Sequence, residues 1–216
     1  MKYIVTGTGR CGTNFLARLL TSAGVPCGRE SVFNLSLKKP GKLQADSSWM
    51  ALPYLEKDVN RWKSAKIVHL VRNPWDIIRG WLFDFESVFS VWKTGKAYRM
   101  TNHFLLNNTP GLKEIESPID RCLHYYLSWN MRIERLPSIS SDEGYTVVRV
   151  RAEDANSTIL WRLGINPEGK QLFQSRQENT RRRCVLTRRD VDLLLRPRDR
   201  YTDFVYMAKE YGYESP

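Results

Sequence analysis

The chain has 216 residues, with 34 Lys and Arg against 23 Asp and Glu, a formal charge of +11 and a pI near 9.6. That length buries a full core and fits one domain spanning residues 1–216, with no Ser/Gly- or Pro-rich linker to divide it. The charge implies an anionic partner, and no stretch reaches the ~18 apolar residues of a membrane-spanning helix. The four cysteines, Cys11, Cys27, Cys122 and Cys184, are scattered, with no CxxC pair and no metal-ligand spacing. Reduced thiols, a cytoplasmic location and no membrane partner are expected, the first apolar run being too short for a signal-peptide core.

Tyr3-Ile4-Val5 reads as a buried strand and Thr6 to Gly12 as a tight glycine-rich turn. From Thr13 a helix is predicted, with Leu16, Leu19, Leu20 and Ala23 on one face and Gly24 at its end. Strand, glycine turn and helix together aim backbone N–H groups and the positive end of the helix dipole at an anion. Arg10 adds a fixed charge in the turn, and Thr13 and Asn14 add short polar side chains. Val25 to Ser31 is a short extended piece, and residues 34–45 are irregular, with a turn at Lys38-Lys39-Pro40-Gly41. Asp46-Ser47-Ser48 is expected to cap a helix from Trp49, with Pro53 in or beside a break.

Lys66 to Val71, KIVHLV, is a second buried strand. It delivers Arg72-Asn73-Pro74 and a helix from Asp76, with Ile78, Trp81, Leu82, Phe85, Phe89 and Trp92 at helical spacing. Residues 93–111 read as loop. Ser117-Pro118 opens another helix with Ser as N-cap and an apolar face of Ile119, Cys122, Leu123, Tyr126, Ile133 and Leu136. Tyr145 to Val150 is a third strand. Helices follow near Ser157–Leu163, Thr187–Leu195 and Thr202–Tyr211, and the polar tract Ser175 to Arg183 ends in three arginines. No internal repeat or low-complexity tract is present. Strands separated by helices predict an α/β fold, a mostly parallel sheet flanked by helices in three layers.

The turn Gly7-Thr8-Gly9-Arg10-Cys11-Gly12 satisfies the dinucleotide pattern GxGxxG, with Glu30 near the expected acid. Val25-Pro26-Cys27-Gly28 makes a poor strand for that reading. Gly7 to Gly12 also fits the start of a Walker loop, but Thr13 and Asn14 stand where Lys and Ser/Thr are needed. A kinase-like nucleotide-binding protein therefore lacks its phosphate-binding lysine. A third reading accounts for Arg10. Arg10-Cys11-Gly12-Thr13 resembles the 5′-phosphosulfate loop of sulfotransferases that use 3′-phosphoadenosine 5′-phosphosulfate (PAPS), and KIVHLVRNPWD resembles their 3′-phosphate strand and turn. The likeness spans roughly residues 2–82, with a looser echo at Tyr145 to Asp154, a strand leading into Glu153-Asp154.

The resemblance implies a P-loop NTPase-like sulfotransferase fold, PAPS as donor and the bisphosphate PAP as product. It implies that Gly9, Arg10, Cys11, Gly12, Thr13 and Asn14 hold the phosphosulfate, that Phe15 meets the adenine, and that Arg72 binds the 3′-phosphate. Gly80 stands where the family has a serine on that phosphate. The family's C-terminal lysine/glycine/tryptophan loop has no visible counterpart, and Arg181, Arg182 or Arg183 is expected to supply its charge.

Sulfuryl transfer requires charge stabilisation, assigned to Arg10 and the turn, and a base for the acceptor hydroxyl. Gly28-Arg29-Glu30 is similar to the segment that carries a glutamate base in bacterial members; Asp46 is the competing candidate. Neither base candidate needs a metal. His69 reads as a core histidine, and His103 and His124 have no evident partner. Trp49 and Trp75 are expected to border the acceptor, a carbohydrate or small molecule. The rival class is a nucleic-acid-binding module using the arginines of the C-terminal third, and no stable nucleic-acid partner is expected under the transferase reading.

Overall fold

The buried apolar runs predicted at Tyr3-Ile4-Val5 and Lys66 to Val71 form Tyr3–Thr6 (β1) and Lys66–Val71 (β4), which lie side by side in a five-stranded sheet with Cys27–Arg29 (β2), Ala45–Ser47 (β3) and Val147–Arg151 (β5). In this computed structural model the strand order is β2-β3-β1-β4-β5, and every neighbouring pair is parallel. The structure describes residues 1–83, 96–139, 145–174 and 186–216. Expectations for Phe85, Phe89, Trp92, Cys184 and the arginines 181–183 lie outside those residues.

The chain forms two compact units, Met1–Arg72 with Met131–Arg181, and Asn73–Asn130 with Arg182–Pro216. The first holds the whole sheet. Its helix Thr13–Ser22 (α1) buries Leu16, Leu19 and Leu20 completely, so the predicted helix face is the core face. The short helices Leu52–Lys57 (α2) and Val59–Trp62 (α3) bring the chain from β3 to β4, and Asn156–Arg162 (α7) follows β5.

Among the described residues five strands form where the apolar pattern predicted three. β2 and β3 are three residues each, too short to display alternation. Asp46-Ser47-Ser48 does not cap a helix at Trp49: Asp46 and Ser47 belong to β3 and are fully buried with Ser48. The next helix starts at Leu52, with Pro53 in its first turn, where a missing N–H costs nothing.

The second unit is helical among the described residues: Pro74–Phe83 (α4), Lys96–Asn108 (α5), most of Pro118–Arg135 (α6), Arg188–Leu195 (α8) and Tyr201–Glu210 (α9). α5 corrects the expectation of a loop over 93–111; its sparse apolar residues gave no clear face. Ser117 Oγ accepts from Asp120 N–H at 3.4 Å, the expected N-cap. Thr187 and Asp190 form a capping box on α8. The core stacks aromatics, Trp75 edge-on to Phe204 at 5.2 Å and Trp81 beside Tyr125 at 5.0 Å. Among the described residues no helix is long and apolar enough to cross a membrane.

One carboxylate ties this unit together. Asp192, 1% exposed, accepts from Trp75 Nε1 at 3.1 Å, Tyr201 OH at 2.6 Å and Arg196 at 2.8 Å. Burial acts to raise its pKa, but the bonds from Tyr201, Arg196 and Trp75 win and hold it below the ordinary 3.8. A depressed carboxyl stabilises above its unfolded pKa and loses that contribution as pH falls through the folded value. Asp192→Ala should therefore lower the denaturation free energy at pH 7 by about 3 kcal/mol, and the deficit should shrink in urea melts taken below pH 3.8.

Candidate functional site

Because every strand runs the same way, all five C-terminal ends lie on one edge of the sheet, where ligands of open α/β sheets bind. β1 ends in the glycine turn, β4 in Arg72, β2 in Arg29-Glu30 and β3 in Ser47-Ser48. The turn is held close against β4. A Cβ at Gly7 would lie 2.3 Å from the Leu70 carbonyl oxygen and 2.8 Å from Cys11 Sγ, so only glycine fits. Gly12 takes φ 105°, in the region that favours glycine, and forms the N-cap of α1 without a side-chain bond. Arg10 sits at φ 70°, a conformation that costs a non-glycine residue roughly 1–2 kcal/mol.

Arg72 closes this arrangement. Its Nη1 donates to the Arg10 carbonyl at 3.2 Å, so the guanidinium at the end of β4 is bonded to the backbone of the turn at the end of β1. Cys11 is fully buried beneath the turn. Burial pushes its thiol up to about 12, against the lowering effects of the Arg72 charge and the Thr13 N–H. It stays neutral at physiological pH and serves as a small filler rather than a nucleophile.

Glu30 follows β2 at φ 50°, the second non-glycine residue with positive φ among those described. Its N–H donates to Ser47 O at 3.1 Å, and the Trp49 side chain donates to its carboxylate. Asp46 fixes this segment. Its Oδ1 accepts from Ser31 N–H at 3.0 Å, and its Oδ2 from Val32 at 3.1 Å and Phe33 at 3.0 Å. A Cβ at Gly28 would lie 2.4 Å from Asp46 Oδ1, so the glycine admits the carboxylate. Both Asp46 oxygens are thus engaged by backbone donors in a fully buried site. Asp46 positions the loop that carries Glu30 and is poorly disposed to act as a base itself.

The structure therefore brings Gly9 to Phe15 together with Arg72 at the sheet edge, and Glu30 to the same edge two strands from β1. Gly80 falls in α4 of the second unit, and Arg182 lies outside the described residues. Trp75 does not border an acceptor site, being fully buried on Asp192. His69 is a buried residue of β4. His103 bonds Asn107 at 2.8 Å, and His124 bonds Pro110 O at 2.6 Å and Arg200 at 2.9 Å.

Three contributors were not singled out from sequence. Ser47 Oγ donates to Thr13 O at 2.7 Å, tying β3 to the start of α1. Phe173 packs on Phe15, centroids 6.3 Å apart, and lies 5.3 Å beneath the Arg18 guanidinium. Arg18 and Arg29, with Asn14 and residues 171–174, line an open cleft of about 890 Å³ beside α1. Phe173 and Arg18 lie 155 residues apart, and no local pattern links them.

Among the described residues these features define a protein of the α/β class, an all-parallel five-stranded sheet flanked by helices. No family model matches the chain, and no characterised protein matches its sequence.

Burial raises the Glu30 carboxyl above its ordinary 4.5; Arg29 opposes the shift, Asp46 adds to it and the Trp49 bond opposes it. The folded state then holds a proton that the unfolded chain has released, so this residue's contribution is full below pH 4.5 and is lost as pH rises through the folded value. Glu30→Gln should gain stability relative to the parent protein between about pH 4 and 7 in paired urea melts. Equal stability of the two proteins across that range would contradict the burial of this charge.

Proposed function

We propose that the chain is a PAPS-dependent sulfotransferase acting on a hydroxyl or amine of a carbohydrate or small-molecule acceptor. The observation that carries the reading is the bond from Arg72 to the Arg10 carbonyl. It joins the two segments that resemble the family, the 5′-phosphosulfate loop and the 3′-phosphate strand, at adjacent strand ends. The donor set suits a nucleotide with two anionic ends: N–H groups at the start of α1, the Arg10 charge and a guanidinium at Arg72 able to bind phosphate in bidentate fashion.

When bound, PAPS supplies an activated sulfuryl group whose leaving group is a phosphate. The turn and Arg10 would stabilise negative charge on that phosphate and on the sulfuryl oxygens without reorganising. Glu30 would accept the proton of the acceptor hydroxyl as the new S–O bond forms. Its raised pKa brings it nearer the operating range of a general base. Asp46 and Gly28 would hold it in place.

Four of the arginines that motivate the rival reading as a nucleic-acid module are paired with carboxylates in the second unit. Arg188 pairs with Asp76 at 2.6 Å, Arg196 with Asp192 at 2.8 Å, Arg198 with Asp120 at 3.3 Å and Arg200 with Asp203 at 3.6 Å. Arginines committed to carboxylates make a poor phosphate-binding face.

In calorimetry, PAP should bind far more tightly than ATP or NAD, and Arg72→Ala should weaken PAP by at least ~10-fold. ATP binding as well as PAP would overturn the donor assignment. Glu30→Gln should keep PAP affinity while turnover falls by ~10²-fold or more; an active variant would remove Glu30 from the chemistry.

A further inference from the structure

The backbone of Glu30 is held from both sides. Its N–H donates to Ser47 O at 3.1 Å, and its carbonyl accepts from the Asn34 side-chain amide at 3.0 Å. Asn34 is secured in turn. Its Oδ1 accepts from Leu35 N–H at 2.7 Å, and its carbonyl accepts from the Tyr54 hydroxyl at 2.6 Å. Tyr54 belongs to α2, with its ring centroid 6.1 Å from that of the fully buried Phe33. These contacts impose the positive φ of 50° and set where the Cα–Cβ bond of Glu30 points. They do not fix the carboxylate, which lies beyond the side-chain torsions.

Trp49 supplies that restraint, since its side chain donates to the Glu30 carboxylate. An indole N–H only donates, so the bond favours the ionised acid. The chain beside Trp49 is firmly tied. Ser48, fully buried, donates its N–H to Val5 O at 2.9 Å and its Oγ to Phe33 O at 2.6 Å. The same Oγ accepts from Met50 N–H at 3.1 Å, and Ala51 N–H returns to Ser48 O at 3.3 Å. The half-buried Trp49 is thus carried on a turn joined both to β1 and to the loop that follows Glu30. The two acids of this region differ in what their oxygens have left to do. Three backbone donors engage both oxygens of Asp46. One indole donor on Glu30 leaves most of a carboxylate's acceptor positions open to a hydroxyl proton.

From this we infer that Trp49 is a positioning residue for Glu30, its indole N–H orienting the carboxylate toward the acceptor's hydroxyl. The inference rests on the reading of Glu30 as the base and adds the group that aims it. The charges acting on Glu30 are Arg29, its chain neighbour, and Asp46 of β3. Burial raises the Glu30 carboxyl, Arg29 opposes that, Asp46 adds to it and the Trp49 bond opposes it. Removing the indole donor therefore raises the carboxyl further.

The test follows the Glu30 carboxyl by carbon NMR through a pH titration, with Glu30→Gln to assign its signal. In Trp49→Phe the carboxyl should titrate at a pH higher by about 0.5 or more than in the parent protein. A packing role alone would leave the titration where it is, and that result would overturn the inference. A second readout needs only the parent indole. The Trp49 N–H resonance should move as Glu30 ionises, and the movement should vanish in Glu30→Gln. An indole signal indifferent to Glu30 would overturn the inference even where Trp49→Phe fails to fold. PAP affinity should change by less than about twofold in Trp49→Phe; a larger loss would assign Trp49 to the nucleotide and overturn the inference. Both titrations are run without nucleotide. Failure of PAP to bind the parent protein would therefore remove the donor reading, while the NMR results still decide the pairing of Trp49 with Glu30.

Discussion

Gly7 has no room for a side chain. Its Cα faces the Leu70 carbonyl so closely that a Cβ would lie 2.3 Å away, inside any tolerable contact. That approach lets the turn after β1 lie over the end of β4, and it brings the Arg10 carbonyl within reach of Arg72 at 3.2 Å. The positive φ at Arg10 is held there by its surroundings: the Arg72 bond on one side, the buried Cys11 below and the Gly12 cap of α1 beyond. Strain of this kind persists where neighbouring contacts over-determine it, and it collects at binding sites. The result is a helix start and the Arg72 guanidinium meeting at the backbone of Arg10 on one strip of the sheet edge.

A second constraint governs the other side of β1. Asp46 and Glu30 are carboxylates on neighbouring short strands or just beyond them, yet their surroundings differ. Asp46 is fully buried, and three backbone N–H groups donate to its side-chain oxygens. Glu30 is half-buried, meets the Asp46 charge and has a pKa above the ordinary range. The fixed acid supports the loop, and the perturbed one lies at its exposed end.

Much of this was legible in the residues. β1, β4 and β5 announce themselves as apolar runs, α1 by its 3.6-residue period, and α6 by its Ser117-Pro118 start. The glycine turn was identified from residue type and spacing, and Arg72 from the resemblance of its segment to the sulfotransferases' 3′-phosphate strand. β2 and β3 were not, because CGR and ADS carry no periodicity and owe their strand conformation to neighbours far away in sequence. Asp46 was read as a helix cap because its true partners, the N–H groups of 31–33, become visible only once β3 lies beside β2. Phe173 and the cleft arise from contacts across 155 positions of chain, as with Arg18, which no window of sequence contains. Trp75 misled in the opposite sense, since a tryptophan after a strand looks available until Asp192 is found bonded to it.

The most direct measurement of the central claim is a crystal structure of the chain with PAP. The account predicts the 5′-phosphate on the N–H groups of residues 9–14 and the 3′-phosphate within hydrogen-bonding distance of Arg72. A nucleotide bound elsewhere, or one whose phosphates touch neither the turn nor Arg72, would contradict it.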